Sequence, residues 1–243
     1  MKITAKKPFI FVWGLCLLFL AVGCAPITKT VHPEFEMRVK DIKTTGFLSP
    51  DIKIYELTAG GVRELRDDWC IKGKENVQKA TMDCLGEWPL EIKPITIDKE
   101  SEEEMEEIYA LYRAVSTSIL LHTQGDNKFP EKVKNFDYSI GSIENILKKY
   151  EVDSLILVNG FDEISSAGRQ ALKAAGIIAG ALTGVVMIPR SGITIVSVSL
   201  VDPSGVILWY NIKGSHGGYD LRNPESATKF VTEILSNYPG AKK

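Results

Sequence analysis

Histidine and cysteine are scarce: three and four copies in 243 residues. The side chains that most often ligate metals or form nucleophile–base pairs therefore have little material to work with. His32, His122 and His216 lie far apart, and none has a second ligand at metal-binding spacing. There is no Gly-x-Ser-x-Gly elbow and no recognisable Ser/His/Asp set. Charge of one sign is also lacking. With 29 Lys and Arg against 31 Asp and Glu, the formal charge is -2, which leaves no basic footprint for nucleic acid. What remains is ordinary for a globular chain, 44% hydrophobic and 25% charged, and excludes a collagen-like or wholly disordered protein. The length suits one domain with attachments. These deficits point to a non-enzymatic protein, and no cofactor or metal is expected.

The amino terminus carries most of the positional information. Lys2, Lys6 and Lys7 precede an uncharged, largely apolar run from Pro8 to Gly23. A basic start, a short apolar core and small residues before a cut are the parts of an export signal. The run falls short of the roughly 20 apolar residues that span a bilayer. It closes in Ala21-Val22-Gly23-Cys24, which resembles the lipobox of bacterial lipoproteins. That resemblance implies cleavage of residues 1–23 and lipidation of the Cys24 thiol. Ala in place of Leu at position 21 is a mild departure from the commonest pattern. Cleavage takes three lysines and no acid, leaving 26 basic against 31 acidic side chains, a formal charge of -5. Acyl chains, at roughly 0.8 kcal/mol per buried methylene, would have to hold so acidic a body at a membrane. Ala25 follows the cysteine where Asp would signal inner-membrane retention, so the expectation is the outer membrane, facing the periplasm. Residues 24–39 read as a lipidated tether and 40–243 as a single domain.

Cys70 and Cys84 remain in an oxidising compartment and are expected to pair. Closing a loop of about fifteen residues would contribute about 3 kcal/mol. A thiol nucleophile or a metal pair is the alternative, although no nearby histidine supports either.

Along the chain, Ile52 to Leu57 alternates as a half-buried strand, and Gly60-Gly61 predicts a tight hairpin with both glycines at positive φ. Trp69 to Gly86 reads as a helix, and Leu90 to Ile97 as an edge strand around Pro94. Ser101-Glu102-Glu103-Glu104 has the form of a capping box opening a helix whose stripe is Met105, Ile108, Tyr112, Val115 and Ile119. Leu155-Ile156-Leu157-Val158 is a continuous apolar run, as in a strand covered on both faces. Asp162 and Glu163 read as its solvated end. Residues 193–201 and 206–212 form a hairpin around Asp202-Pro203-Ser204-Gly205, and Asn223-Pro224 opens a last helix. The fold class is α/β (α+β): a mixed sheet with one layer of helices.

Tyr138-Ser139-Ile140-Gly141, the strand Asp153 to Val158 and the hairpin Leu200 to Trp209 resemble a group of uncharacterised bacterial envelope lipoproteins. Their folds are similar to the amino-terminal domain of the Tol-system protein TolB and to the periplasmic part of the curli secretion channel. The resemblance implies no catalysis and suggests an envelope scaffold or assembly subunit that binds other proteins or itself. The insertion at residues 165–192 departs from it. Within that insertion Gly176, Gly180 and Gly184 recur at four-residue steps, so on a helix they would share one face open to another helix or a membrane. Burial against the chain's own body is the alternative. A second functional reading is a carrier or lid for a small or lipidic ligand, with the insertion lining a pocket.

Overall fold

The computed structural model describes residues 30–124, 128–185 and 188–240. The lipidation site expected at Cys24, and the leader before it, lie outside the described residues.

Strand β5 (Ser154–Ser165) is the axis of the fold. Its side chains alternate between two apolar environments. Leu155 and Leu157 enter one core, and Ile156 and Val158 enter the other. One edge of β5 takes β6 (Ile193–Val201) antiparallel, which continues into the hairpin strand β7 (Ile207–His216). The other edge takes β1 (Thr44–Leu48) and β2 (Asp51–Leu57), both parallel to β5. Thr45 lies opposite Ser154 and Asp51 opposite Asn159, so the first strand has one residue more across the joint. Ser49-Pro50 is therefore a bulge inside one long composite strand. Beyond it lie β4 (Glu91–Ile95), parallel to β1, and β3 (Arg63–Leu65), antiparallel to β2. Pro94 sits in β4, on the edge as its missing N–H requires. The β2–β3 loop is longer than a two-residue hairpin. Thr58 N–H donates to Val62 O, and only Gly61 of the two glycines has positive φ (86°).

Helices cover both faces, which corrects the single layer expected. Short α1 (Phe35–Arg38), the long α2 (Asp67–Leu85) and the C-terminal α7 (Pro224–Leu235) close one core, built on Val77, Phe230, Ile234 and the sheet residues Ile52, Ile54 and Val198. On the opposite face, α3 (Glu102–Ile119) contributes Met105, Ile108, Tyr112 and Ile119. Short α4 (Pro130–Lys134) precedes α5 (Glu144–Tyr150), which adds Ile146 and Leu147 to that core. The mixed α/β class stands, as a three-layer sandwich.

Local signals behave mostly as their chemistry dictates. The Asn223 side chain accepts from Ser226 N–H at 3.0 Å, with Pro224 in the first helical turn. Asp202 accepts from Val206 N–H at 3.0 Å, and Gly205 takes φ 79°. The capping box at Ser101 does not form. Its hydroxyl receives Lys149 Nζ at 2.7 Å, and its own N–H is taken by Asp98. The body also begins before Lys40. Val31 bridges Trp209 on the free edge of β7, and Phe35 is buried.

Candidate interaction site

The insertion folds as α6 (Ala167–Thr183), launched from the end of β5. Along its length only Arg169 and Gly180 are buried. Leu172, Ile177, Ile178 and Leu182 are exposed, Leu182 by 82%, and Val185 and Ile188 just after the helix are exposed as well. Ordinary soluble surfaces scatter such residues singly, whereas here six fall on one element and the residues just past it.

The helix is rooted by a charged clamp. Ser166 caps it by accepting from Arg169 N–H at 3.2 Å. The buried Arg169 guanidinium then donates to the carbonyl of Arg190 at 3.1 and 3.2 Å and to that of Thr58 at 3.2 Å. It thus ties the helix start to the returning chain and to the β2–β3 loop. Lys173 Nζ spans Ser165 Oγ and Ser191 Oγ at 3.1 and 3.2 Å. Glu163, its side chain 2% exposed, lies 3.0 Å from Arg63 Nε and 3.3 Å from Arg190 Nη2. The Arg63 guanidinium also rests over the rings of Tyr55 and Phe161, at 4.3 and 4.9 Å. Gly192 lies so close that a Cβ there would fall 1.6 Å from the Glu163 carbonyl oxygen. Only glycine fits.

Asp162 points to the opposite face of the sheet. It accepts from Leu221 N–H at 2.9 Å and Thr194 Oγ1 at 2.8 Å. Burial pushes its carboxyl up to about 6, against the pull of those two hydrogen bonds. Both acids at the strand end are therefore buried, a correction to their reading as a solvated terminus.

The glycines expected to form an outward zipper turn the other way. Arg169, Lys173, Gly176 and Gly180 follow at steps of four, three and four, which is one helix face. Arg169 and Lys173 reach the returning chain from that face, Gly176 is half-buried and Gly180 is buried. Gly184 has left the helix and caps it in the left-handed region at φ 75°. The open face of α6 is thus the opposite, alanine- and aliphatic-bearing side.

The expected disulfide does not form. Cys70 and Cys84 both lie on α2, fourteen positions apart, and both are free. On one continuous helix that is about 21 Å, against the ~7 Å that bridged cysteines tolerate between Cα atoms. Instead Cys70 Sγ accepts from Ile54 N–H at 3.1 Å, and Cys84 Sγ lies 3.6 Å from Thr232 Oγ1. The pair marks where α2 meets the sheet and α7.

Two cavities, of about 520 and 1290 Å³, lie elsewhere. One is beside Arg38, Glu144 and Asp202, and the other is between the N-terminal arm and the end of α7. No residue of the insertion lines either. No helix among the described residues is long and apolar enough to cross a membrane. Arg169, Arg190 and Gly192 went unnoticed in the sequence, and Glu163 was read only as a solvated strand end. Arg169 and Lys173 sharing a face with the glycines was the one readable sign of them.

No family model and no curated protein matches the chain. Among solved structures it is similar to the PelC dodecamer from Paraburkholderia phytofirmans, at 9% identity over 83% of this chain and 89% of that one, with a TM-score of 0.34. A point variant of that dodecamer in another crystal form gives 9% identity, 82% and 89% coverage and a TM-score of 0.33.

Proposed function

We propose that this chain is an exported, lipid-anchored protein of the bacterial envelope, facing the periplasm from the outer membrane. There it serves as a non-enzymatic scaffold or assembly subunit, docking protein through the outward face of α6. The carrying observation is that face: a helix rooted by buried charge yet bare of cover along its aliphatic side. The anchor is supported by the Ala21-Val22-Gly23-Cys24 sequence and by tether length. Six residues from Cys24 to Thr30 reach at most about 20 Å, keeping the body close to the membrane surface. The carrier reading draws nothing from the insertion, which lines neither cavity. Growth with labelled fatty acid tests the anchor. Label should enter the wild type, and Cys24→Ser should lose both label and membrane retention. Labelling that persists in the variant would remove the localisation.

A further inference from the structure

The outward face of α6 has a pattern of its own. Opposite the Arg169–Gly180 face, helical spacing places Ala171, Ala174, Ile178 and Leu182 along one strip, all exposed. The strip is small at the start of the helix and large at its end, and exposed Val185 follows past the cap. We infer that its occupant is the same strip of a second copy, crossing antiparallel about Ile178. This rests on reading α6 as the docking element. Running antiparallel about that centre, Ala174 meets Leu182 of the copy and Ile178 meets itself. Ala174 then faces Leu182 on either side of the centre, small against large, the arrangement by which facing helices interdigitate. The Ala174–Leu182 pairing occurs twice and Ile178 sits on the axis, as a two-fold interface requires.

Charge permits the pairing. From Ala174 to Ile188 the chain carries none, and Arg169 and Lys173 are turned inward and hydrogen-bonded. No like charges are brought together. A bilayer is the poorer fit, because alanine offers lipid little area but lets a second backbone come close. Helices that lie in membrane interfaces instead combine bulky apolar residues with a free basic face. Seventeen residues make a helix about 25 Å long, and half its surface is about 500 Å² per copy. The total of about 1,000 Å² is at the lower edge of specific interfaces. Association is then weak in free solution and strong where two copies share a membrane, since tethering raises effective concentration toward the millimolar range.

Cross-linking in the full-length chain tests this, with Cys70 and Cys84 replaced by Ser. Ile178→Cys should form a disulfide dimer under mild oxidation. Ala174→Cys and Leu182→Cys chains should cross-link when mixed and not when oxidised separately. Adding Ile178→Asp to that mixed pair sets two carboxylates against each other and should cut the yield about tenfold or more, with an unchanged melting curve. Absence of the Ile178→Cys dimer, or cross-links in another register, overturns the pairing. So does flotation of the Cys24→Ser chain with phosphatidylethanolamine–phosphatidylglycerol vesicles that Ile178→Asp abolishes, which would make a bilayer the occupant. Loss of fatty-acid label with the cross-link intact would remove the anchor and leave the pairing standing; label without the cross-link does the reverse.

Discussion

Asp162 and Glu163 are neighbours on β5 whose carboxylates are partnered in different ways. Glu163 is held by two arginines. Asp162 has only a backbone N–H and a hydroxyl, and burial raises its carboxyl from 3.8 to about 6. The folded chain therefore holds that proton more tightly than the unfolded chain. Below about pH 4 both states are protonated and nothing is lost. As pH rises through the window to about 6 stability falls, by roughly 2–3 kcal/mol in all, and the deficit persists above it. Asp162→Asn keeps an acceptor for Leu221 N–H and a donor for Thr194. Urea unfolding between pH 4.5 and 7.5 should show that downward slope in the wild type and a flatter one in the variant. An identical pH dependence in both would remove the assignment. None of this was legible from the residues alone. An acid pair ending a strand resembles a solvated terminus until Leu221, 59 positions away, is brought beneath it.

Elements were more legible than their surroundings. The stripe of α3, the cap of α7 and the β6–β7 turn each depend on residues within a few positions, and each formed where expected, apart from the box at Ser101. The cysteines show a different failure. Reading Trp69 to Gly86 as a helix already put both on one rod, which excluded the pairing expected on compartment grounds. The helix was the stronger inference because its periodicity is local, whereas the pairing assumed a loop. For α6 the spacing of Gly176 and Gly180 was read correctly as a face while Gly184 falls past the helix end, and the direction of that face was set by Arg169 and Lys173 reaching the return chain. Two substitutions test the root. Gly192→Ala pushes a methyl into the Glu163 carbonyl and should cost at least about 1–3 kcal/mol, seen as a lowered melting temperature. Arg169→Met keeps the apolar stem but leaves the Thr58 and Arg190 carbonyls without their donor, a loss of about 1–3 kcal/mol for each that stays buried. Its signature should be faster proteolysis within 184–192 while the rest of the chain stays protected.

For the whole molecule, the two-sided sheet was foreshadowed by the unbroken run Leu155 to Val158, since a strand apolar on both faces needs cover on both. Which helices supply the cover depends on chain crossings that no local pattern encodes. Trp209 belongs to this scale. It is 1% exposed and packs edge-to-face with Trp88 and Tyr238 at 5.7 and 5.3 Å, joining strand, α2 exit and C-terminus. Trp209→Ala should lower stability by about 3–5 kcal/mol in thermal or urea unfolding; an unchanged transition would make it a surface platform instead. The N-terminal arm lies against that same residue. Thr30 to His32 runs along β7 through His32 N–H to Leu208 O and Tyr210 N–H to Thr30 O, both 2.9 Å, and Val31 packs on the aromatic cluster. Mechanical tension between a membrane-held Cys24 and the body would enter through these few bonds before reaching any helix. Peeling the arm would wet Trp88 and Trp209 while the sandwich stayed whole, so the strain on the tether would be written in the protein's own tryptophan emission.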